Sequence, residues 1–426
     1  MIGGGVPFGA EQRLLPEWIP LSFFFVSLTC LPLGWILLFL QAENIASFQG
    51  GFGPVLAALH TFTIGVVLIT AFGASMQMLP VASGAAMNKP VGVILLFILL
   101  LTGTAITLGG FAHYLPLITS FGAAILCLSA LLYAVMLVRL LARSDSLKII
   151  RNHVLVGALC LLLAAGLGAS MIWNWASLLS LTMPNPRLVH AGLALYGFMG
   201  LIVFGFSRIM VPMLSVSDKT NDRLAILGLL VALTSLLLWV GGFFKIAPFV
   251  ALISVLIHVY EMFTILKGRI RTRLGPEWIA IRFSWVMLPL SLLLVIGAQW
   301  TDNKANITEL SILIAVLGWL VSFIIGILQR IIPFLLSMQI ARQTGMPELP
   351  SKLASEKLTR LIGPLHITAV GITGVAVMID NSLLLQFGSL IGLASGLSFL
   401  TFLIIAIKRK RLSLEKMKNE TLASFT

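Results

Sequence analysis

Long apolar runs recur along the whole chain, and short polar segments separate them. The runs are about 20 residues long, the length that an α-helix needs to cross the hydrocarbon core of a bilayer. Because lipid offers no partner to backbone N–H and C=O groups, each run must be a helix with internal hydrogen bonds. The pattern predicts twelve transmembrane helices, at 20–41, 53–80, 91–112, 115–141, 152–174, 188–214, 224–243, 246–266, 281–300, 308–338, 359–379 and 383–407.

Composition and charge favour a membrane protein over a soluble one. Of the 426 residues, 59% are hydrophobic and only 10% are charged, whereas a soluble domain needs more charge to cover its surface. The formal net charge is +13, but Lys and Arg are concentrated in the loops on one side of the predicted helices. Such a skew marks the cytoplasmic side. We therefore expect cytoplasmic termini, anionic lipid as the partner of the basic loops, and no nucleic-acid partner.

One motif recurs on every fourth predicted helix. A glycine stands seven residues before a proline, with Gln or Arg between them. The three instances are Gly73–Pro80, Gly205–Pro212 and Gly326–Pro333. Recurrence at one spacing is the signature of an internal repeat. It predicts a single transmembrane domain of three four-helix repeats with pseudo-threefold symmetry, at 18–148, 149–280 and 281–410, followed by a cytoplasmic tail at 411–426.

Twelve helices in three four-helix units resemble the catalytic subunit, subunit I, of the heme-copper oxidases. The segment from His60 to FGASMQMLP is similar to helix 2 of that superfamily, where a histidine binds the low-spin heme. HAGLALYGFMG from His190, followed by FGFSRIMVP, resembles helix 6. Together these segments look most like uncharacterised oxidase-subunit-like proteins of bacteria, a group distantly similar to the nitric-oxide-response family called NnrS. The resemblance implies an all-α, subunit I-like fold in the bacterial inner membrane.

The chain also departs from the oxidase pattern. Oxidases place two heme-binding histidines in helix 10 and a copper-binding pair in helix 7, but neither 308–338 nor 224–243 contains a histidine. Many oxidases have a tyrosine four residues after the helix 6 histidine, and this chain has Ala194 there. The resemblance therefore implies the scaffold and a heme, without bound copper and without oxygen reduction.

His60 and His190 are the leading candidates for heme ligands. His60 lies 13 residues before its repeat glycine and His190 lies 15 before its own. An offset of two residues turns a helix by about 200°, so the two rings can point toward each other from neighbouring inner helices. Paired imidazoles suit the two axial positions of a heme iron. We expect a noncovalent heme b, since CxxCH is absent, with Arg187 near a heme propionate.

Three other histidines are secondary candidates. His258 has Glu261 one turn further along its helix, and a buried pair there is equally compatible with a structural or a functional role. The same two interpretations stay open for His366. For His113, in the short loop GGFAHYLP, the structural interpretation is favoured.

Three functions remain open at this stage, and the least favoured is an assembly or scaffold subunit whose partners supply the chemistry. The first is a redox protein that relays electrons, or that senses nitric oxide or protects against it, with a quinone or a redox protein as partner. The alternative is a permease for a metal, heme or small solute, with the histidines as transient ligands. The sequence leaves the oligomeric state open.

Overall fold

The computed structural model describes residues 13–45, 48, 50–84, 90–142, 147–217, 219–301 and 304–423. Twelve helices there are long and apolar enough to span a membrane: α1 Trp18–Leu40, α2 Pro54–Ser83, α3 Val91–Ala112, α4 Pro116–Leu141, α5 Lys148–Trp175, α6 Pro186–Ser215, α7 Asp222–Val240, α8 Ala247–Lys267, α9 Trp278–Gly297, α10 Asn306–Thr344, α11 Glu356–Met378 and α12 Ser382–Glu420. The described residues contain no strand.

Every predicted span coincides with one of these helices, so the prediction of an all-α, multi-pass membrane protein is confirmed. The largest differences are at two C-terminal ends, since α10 and α12 run on to Thr344 and Glu420. Most of the predicted tail thus continues α12 as helix, and its last residues, 424–426, lie outside the described residues. Because the number of spans is even, both described ends lie at one membrane face, here called the terminal face. The opposite side is the distal face.

Three helices form the inside of the bundle. Buried residues make up 61%, 67% and 83% of the most apolar windows of α2, α6 and α10, against 33–50% in the other nine spans. The outer helices close into a ring, because α1 packs along α12. Small residues permit this closure: a Cβ atom at Gly392 would lie 2.2 Å from the Trp35 ring, and one at Gly396 would lie 3.0 Å from the Pro32 nitrogen.

Two rows of glycines let each inner helix approach the outer helix that precedes it. A Cβ atom at Gly73 would lie 2.4 Å from Phe23 of α1, one at Gly205 3.1 Å from His153 of α5, and one at Gly326 2.4 Å from Ile281 of α9. The second row lies eight residues earlier. There Gly65 meets Cys30, Gly197 meets Cys160 and Gly318 meets Met287, at 2.9–3.1 Å. An inner helix therefore packs closely against the outer helix before it in three places along the chain: α2 on α1, α6 on α5 and α10 on α9.

Each inner helix also contains a π-helical segment. The segments are Thr61–Leu68 in α2, Leu193–Met199 in α6 and Ile314–Val321 in α10. All three begin twelve residues before the glycine of the Gly–Pro motif. A π-helical turn holds an extra residue and changes the direction of the side chains that precede it, and such turns are frequent at functional sites.

Buried ion pairs hold the terminal face together. Arg208 of α6 binds Glu261 of α8, and Arg330 of α10 binds Glu277, the residue before α9. Lys410 of α12 binds Glu17 just before α1, with the Lys410 side chain only 7% exposed. This last pair joins the two ends of the ring.

Candidate functional site

The π-helical segment of α2 begins directly after His60, and that of α6 begins three residues after His190. The two imidazole rings lie close together, with their centroids 6.4 Å apart and their planes inclined by 27°. Residues on helices that are far apart in sequence thus meet in the distal half of the membrane. Gly168 of α5 leaves room for the His190 ring, because a Cβ atom there would lie 3.0 Å from its Cε1.

Hydrogen bonds assign the protons of both rings. His60 Nδ1 lies 3.0 Å from the Leu56 carbonyl oxygen of its own helix. His190 Nδ1 lies 2.9 Å from the Ala164 carbonyl oxygen of α5. Because a carbonyl oxygen only accepts, each Nδ1 must be the donor, and the Nε2 of a neutral ring then carries the free lone pair. A backbone carbonyl on Nδ1 is also the usual outer partner of a metal-binding histidine.

A cavity of about 220 Å³ lies against both histidines. Helices α2 to α6 form most of its wall and α10 contributes the rest. Small side chains make the space, since alanines and a glycine alternate with leucines along α5 and α6. These small lining residues are Ala164, Ala165, Gly168, Ala169, Ala191 and Ala194. The only polar lining residues besides the histidines are Thr63 and Thr107.

The two histidines of this cavity are suitable ligands for a heme iron. The cavity itself is too small for a porphyrin unless it widens. A metal–imidazole bond is about 2.0 Å long, so two imidazoles on opposite sides of one metal ion have ring centres about 6 Å apart. The observed 6.4 Å matches this separation. A volume of about 220 Å³ is below the roughly 300–1,000 Å³ of sites for drug-sized ligands. Flexible wall residues such as Leu126 and Leu161 therefore have to change rotamer around a porphyrin.

Aromatic side chains close the cavity toward the terminal face. Phe198 lines the cavity, and its ring lies edge-on to Phe72 and Tyr133, at 6.5 and 6.4 Å. Phe72 and Tyr133 stack at 3.8 Å, and Tyr133 also shares a 2.8 Å hydrogen bond with Ser75. The cavity is thus separated from the Gly–Pro end of α2 and α6.

Arg187 lies near the distal mouth of this region, one turn before His190. Its side chain is exposed and packs on Gly50, in the loop that precedes α2: a Cβ atom at Gly50 would lie 2.2 Å from Nη1 of Arg187. Arg187 therefore links the loop before α2 to the start of α6.

The structure places the three secondary histidines elsewhere. His113 is exposed at the C-terminal end of α3. His366 of α11 is buried, and its Nε2 donates to the Leu317 carbonyl oxygen of α10 at 3.0 Å. His258 of α8 stacks on Phe204 at 3.9 Å.

The sequence interpretation that paired His258 with Glu261 was wrong. Glu261 binds Arg208 instead, and it also accepts a hydrogen bond from the Asn221 backbone N–H at 3.3 Å. A buried carboxylate is stabilised far more by a guanidinium than by a neutral imidazole. His258 Nε2 has no hydrogen-bond partner in the described part of the chain.

Comparison with known proteins gives one family. A family model described as NnrS protein matches residues 153–423, which is more than half of the chain and includes α6 with His190. No curated protein matches the chain. Within the described residues, no group of three or more His, Cys, Asp or Glu side chains is close enough to hold a metal ion.

Proposed function

The chain belongs to the NnrS family, and from that premise we propose that it binds heme b in the bacterial inner membrane, with His60 and His190 as axial ligands. One observation carries the proposal. Two imidazoles whose Nδ1 atoms donate to carbonyl oxygens have ring centroids 6.4 Å apart, a separation that suits a shared metal ion, beside an apolar cavity.

Such a heme would be noncovalent and six-coordinate. Held by the imidazole nitrogens of His60 and His190, it would supply one-electron transfer. The apolar wall keeps water from the iron, and the hydrogen bonds on Nδ1 hold the two rings in place. We therefore propose an electron relay within the membrane, or a response to nitric oxide, as the resemblance of the sequence implies. Oxygen reduction at a copper–heme centre is not part of the proposal.

Arg187 would then pair with a propionate. Its position one turn before His190, against the loop before α2, puts a permanent positive charge on the distal side of the histidines. A guanidinium binds a carboxylate through two parallel hydrogen bonds, so it can orient the heme edge toward the distal face.

We also propose that the fold consists of three four-helix repeats, like subunit I of the heme-copper oxidases. Three features support this. The glycine rows join α1 to α2, α5 to α6 and α9 to α10, the π-helical segments begin at one distance from the Gly–Pro motif, and the most buried helices are every fourth one. The basic loops support a cytoplasmic location for the terminal face.

The test is the optical spectrum of protein purified after expression with ample heme. We expect a six-coordinate, low-spin b-type spectrum. His60→Ala and His190→Ala should each give a five-coordinate spectrum or lose the heme, because each removes one axial bond. His113→Ala, which changes an exposed histidine outside the cavity, is the matched control and should leave the spectrum unchanged.

Two results would refute this model of the site. If His60→Ala abolishes the spectrum and His190→Ala leaves it intact, the heme is held without helix α6. If the wild-type protein is colourless in the presence of heme, the alternative function takes over, a permease for a metal, heme or small solute.

A further inference from the structure

A second cavity lies beside the histidine cavity, on the other side of α2. Its volume is about 100 Å³, and α1, α2, α10, α11 and α12 supply its wall. Apolar side chains such as Ala58, Phe62 and Leu385 make up nearly all of the lining. The two polar exceptions are Gln41 and Glu309.

Glu309 has an unsatisfied oxygen at this cavity. Its Oε2 atom is buried and has no hydrogen-bond partner among the described residues. A carboxylate oxygen accepts hydrogen bonds, and leaving it buried without a donor is costly. The geometry therefore calls for an occupant that is apolar and carries a donor group.

The two cavities share a wall. Leu59 of α2 and Ile312 and Val316 of α10 line both of them. A molecule in the second cavity is thus separated from the histidine cavity by a single layer of aliphatic side chains. Because the wall is thin, a molecule in the second cavity could exchange electrons with a redox group in the histidine cavity.

We propose that the second cavity binds a lipid-soluble hydroquinone, with one hydroxyl donating to Glu309. The redox purpose of this site rests on the heme proposal, whereas the binding itself does not. An apolar cavity of about 150 Å³ holds benzene, so this one has the scale of a single ring and widens by rotation of a leucine such as Leu385. A lipid-soluble hydroquinone concentrates in the bilayer, and its O–H group can donate to the carboxylate.

The oxidised and reduced forms of one probe test the proposal. Durohydroquinone has hydroxyl donors, and duroquinone has only acceptors. We expect durohydroquinone to bind purified protein about tenfold more tightly in anaerobic titration calorimetry at pH 9, where Glu309 is a carboxylate, since a hydrogen bond to a charged group contributes about 1.5–3 kcal/mol. Glu309→Gln should abolish this preference, because an amide both donates and accepts. Glu43→Gln, an exposed acid at the same face that does not line the cavity, should retain it.

A second variant tests the location. Ala58 lines only the second cavity, so Ala58→Leu should fill it and weaken binding of both forms about tenfold or more. Equal binding of the two forms, tighter binding of duroquinone, or a preference that survives Glu309→Gln overturns the proposal. Titrations of heme-free and heme-loaded protein separate the two ideas. Colourless protein that prefers durohydroquinone refutes only the heme proposal, and heme protein without the preference refutes only this one.

Discussion

At the level of single residues, some features of the site could be predicted from the sequence and others could not. The two-residue offset between His60 and His190 predicted rings that point toward each other, because the rotation per residue is a local property of a helix. The partner of Arg208 was not predictable, because Glu261 is 53 residues away on another helix and only packing brings the two together. The position of Arg208 within the Gly205–Pro212 motif was the only feature of the sequence that pointed to this ion pair.

The Arg208–Glu261 pair makes a prediction about stability. Both side chains are only 5% exposed, so Arg208→Met should leave Glu261 charged and unpaired inside the protein. We expect a loss of about 3–5 kcal/mol in the free energy of unfolding, measured by reversible unfolding in mixed micelles. The double variant Arg208→Met with Glu261→Leu should lose much less, since no buried charge remains.

The control is an ion pair in water. Arg360 and Glu356 are paired on α11 with side chains 69% and 74% exposed, and Arg360→Met should change the free energy of unfolding by at most about 1 kcal/mol. A similar loss for both single variants would show that Arg208 is solvated and that the packing described for α6 and α8 is wrong.

At the scale of the element, helix positions were predictable and helix contacts were not. Apolar runs set the spans because the bilayer fixes their length. The π-helical segments follow from no residue type that marks them in advance. The second glycine row, at Gly65, Gly197 and Gly318, was present in the sequence, but glycines are too frequent in membrane helices for such a row to stand out. The packing of α1, α5 and α9 makes it visible.

These contacts predict opposite effects of one substitution at two glycines. Gly326→Ala should lower the free energy of unfolding by about 1–3 kcal/mol, because the new Cβ atom would lie 2.4 Å from Ile281 and 3.1 Å from backbone atoms of α9. Gly371→Ala, in the middle of α11 with no atom within 4 Å of the new Cβ, should raise it by about 1 kcal/mol. Equal effects at the two sites, again by reversible unfolding, would exclude the close approach of α10 to α9.

For the whole molecule, the sequence predicted the number of spans and left the arrangement to the structure. The burial of α2, α6 and α10 exceeds that of the other nine spans, and this burial supports the proposed threefold repeat. The second cavity was not foreseen, since its wall combines five helices from both ends of the chain.

The loops make a prediction about orientation. A reporter that is active only in the cytoplasm should be active when it is fused at Arg271 or after Thr426, and inactive when it is fused at Asn185, in the loop between α5 and α6. The reason is the excess of Lys and Arg at the terminal face. The reverse pattern would place the histidine cavity toward the cytoplasm and remove the basis for the assigned termini.

The contact between α1 and α12 closes the ring of outer helices. The fold should therefore tolerate a change in the order in which the helices follow one another along the chain. Because α1 lies along α12 and Glu17 binds Lys410, the start of the first span and the C-terminal part of the last span meet at one face, as circular permutation requires. A gene that joins Thr426 to Met1 through a flexible linker and starts at Leu147 would synthesise α5 first and α4 last. We expect the permuted protein to insert with all twelve spans and to give the same spectrum as the parent, and a failure to insert would mean that α1 must enter the membrane first.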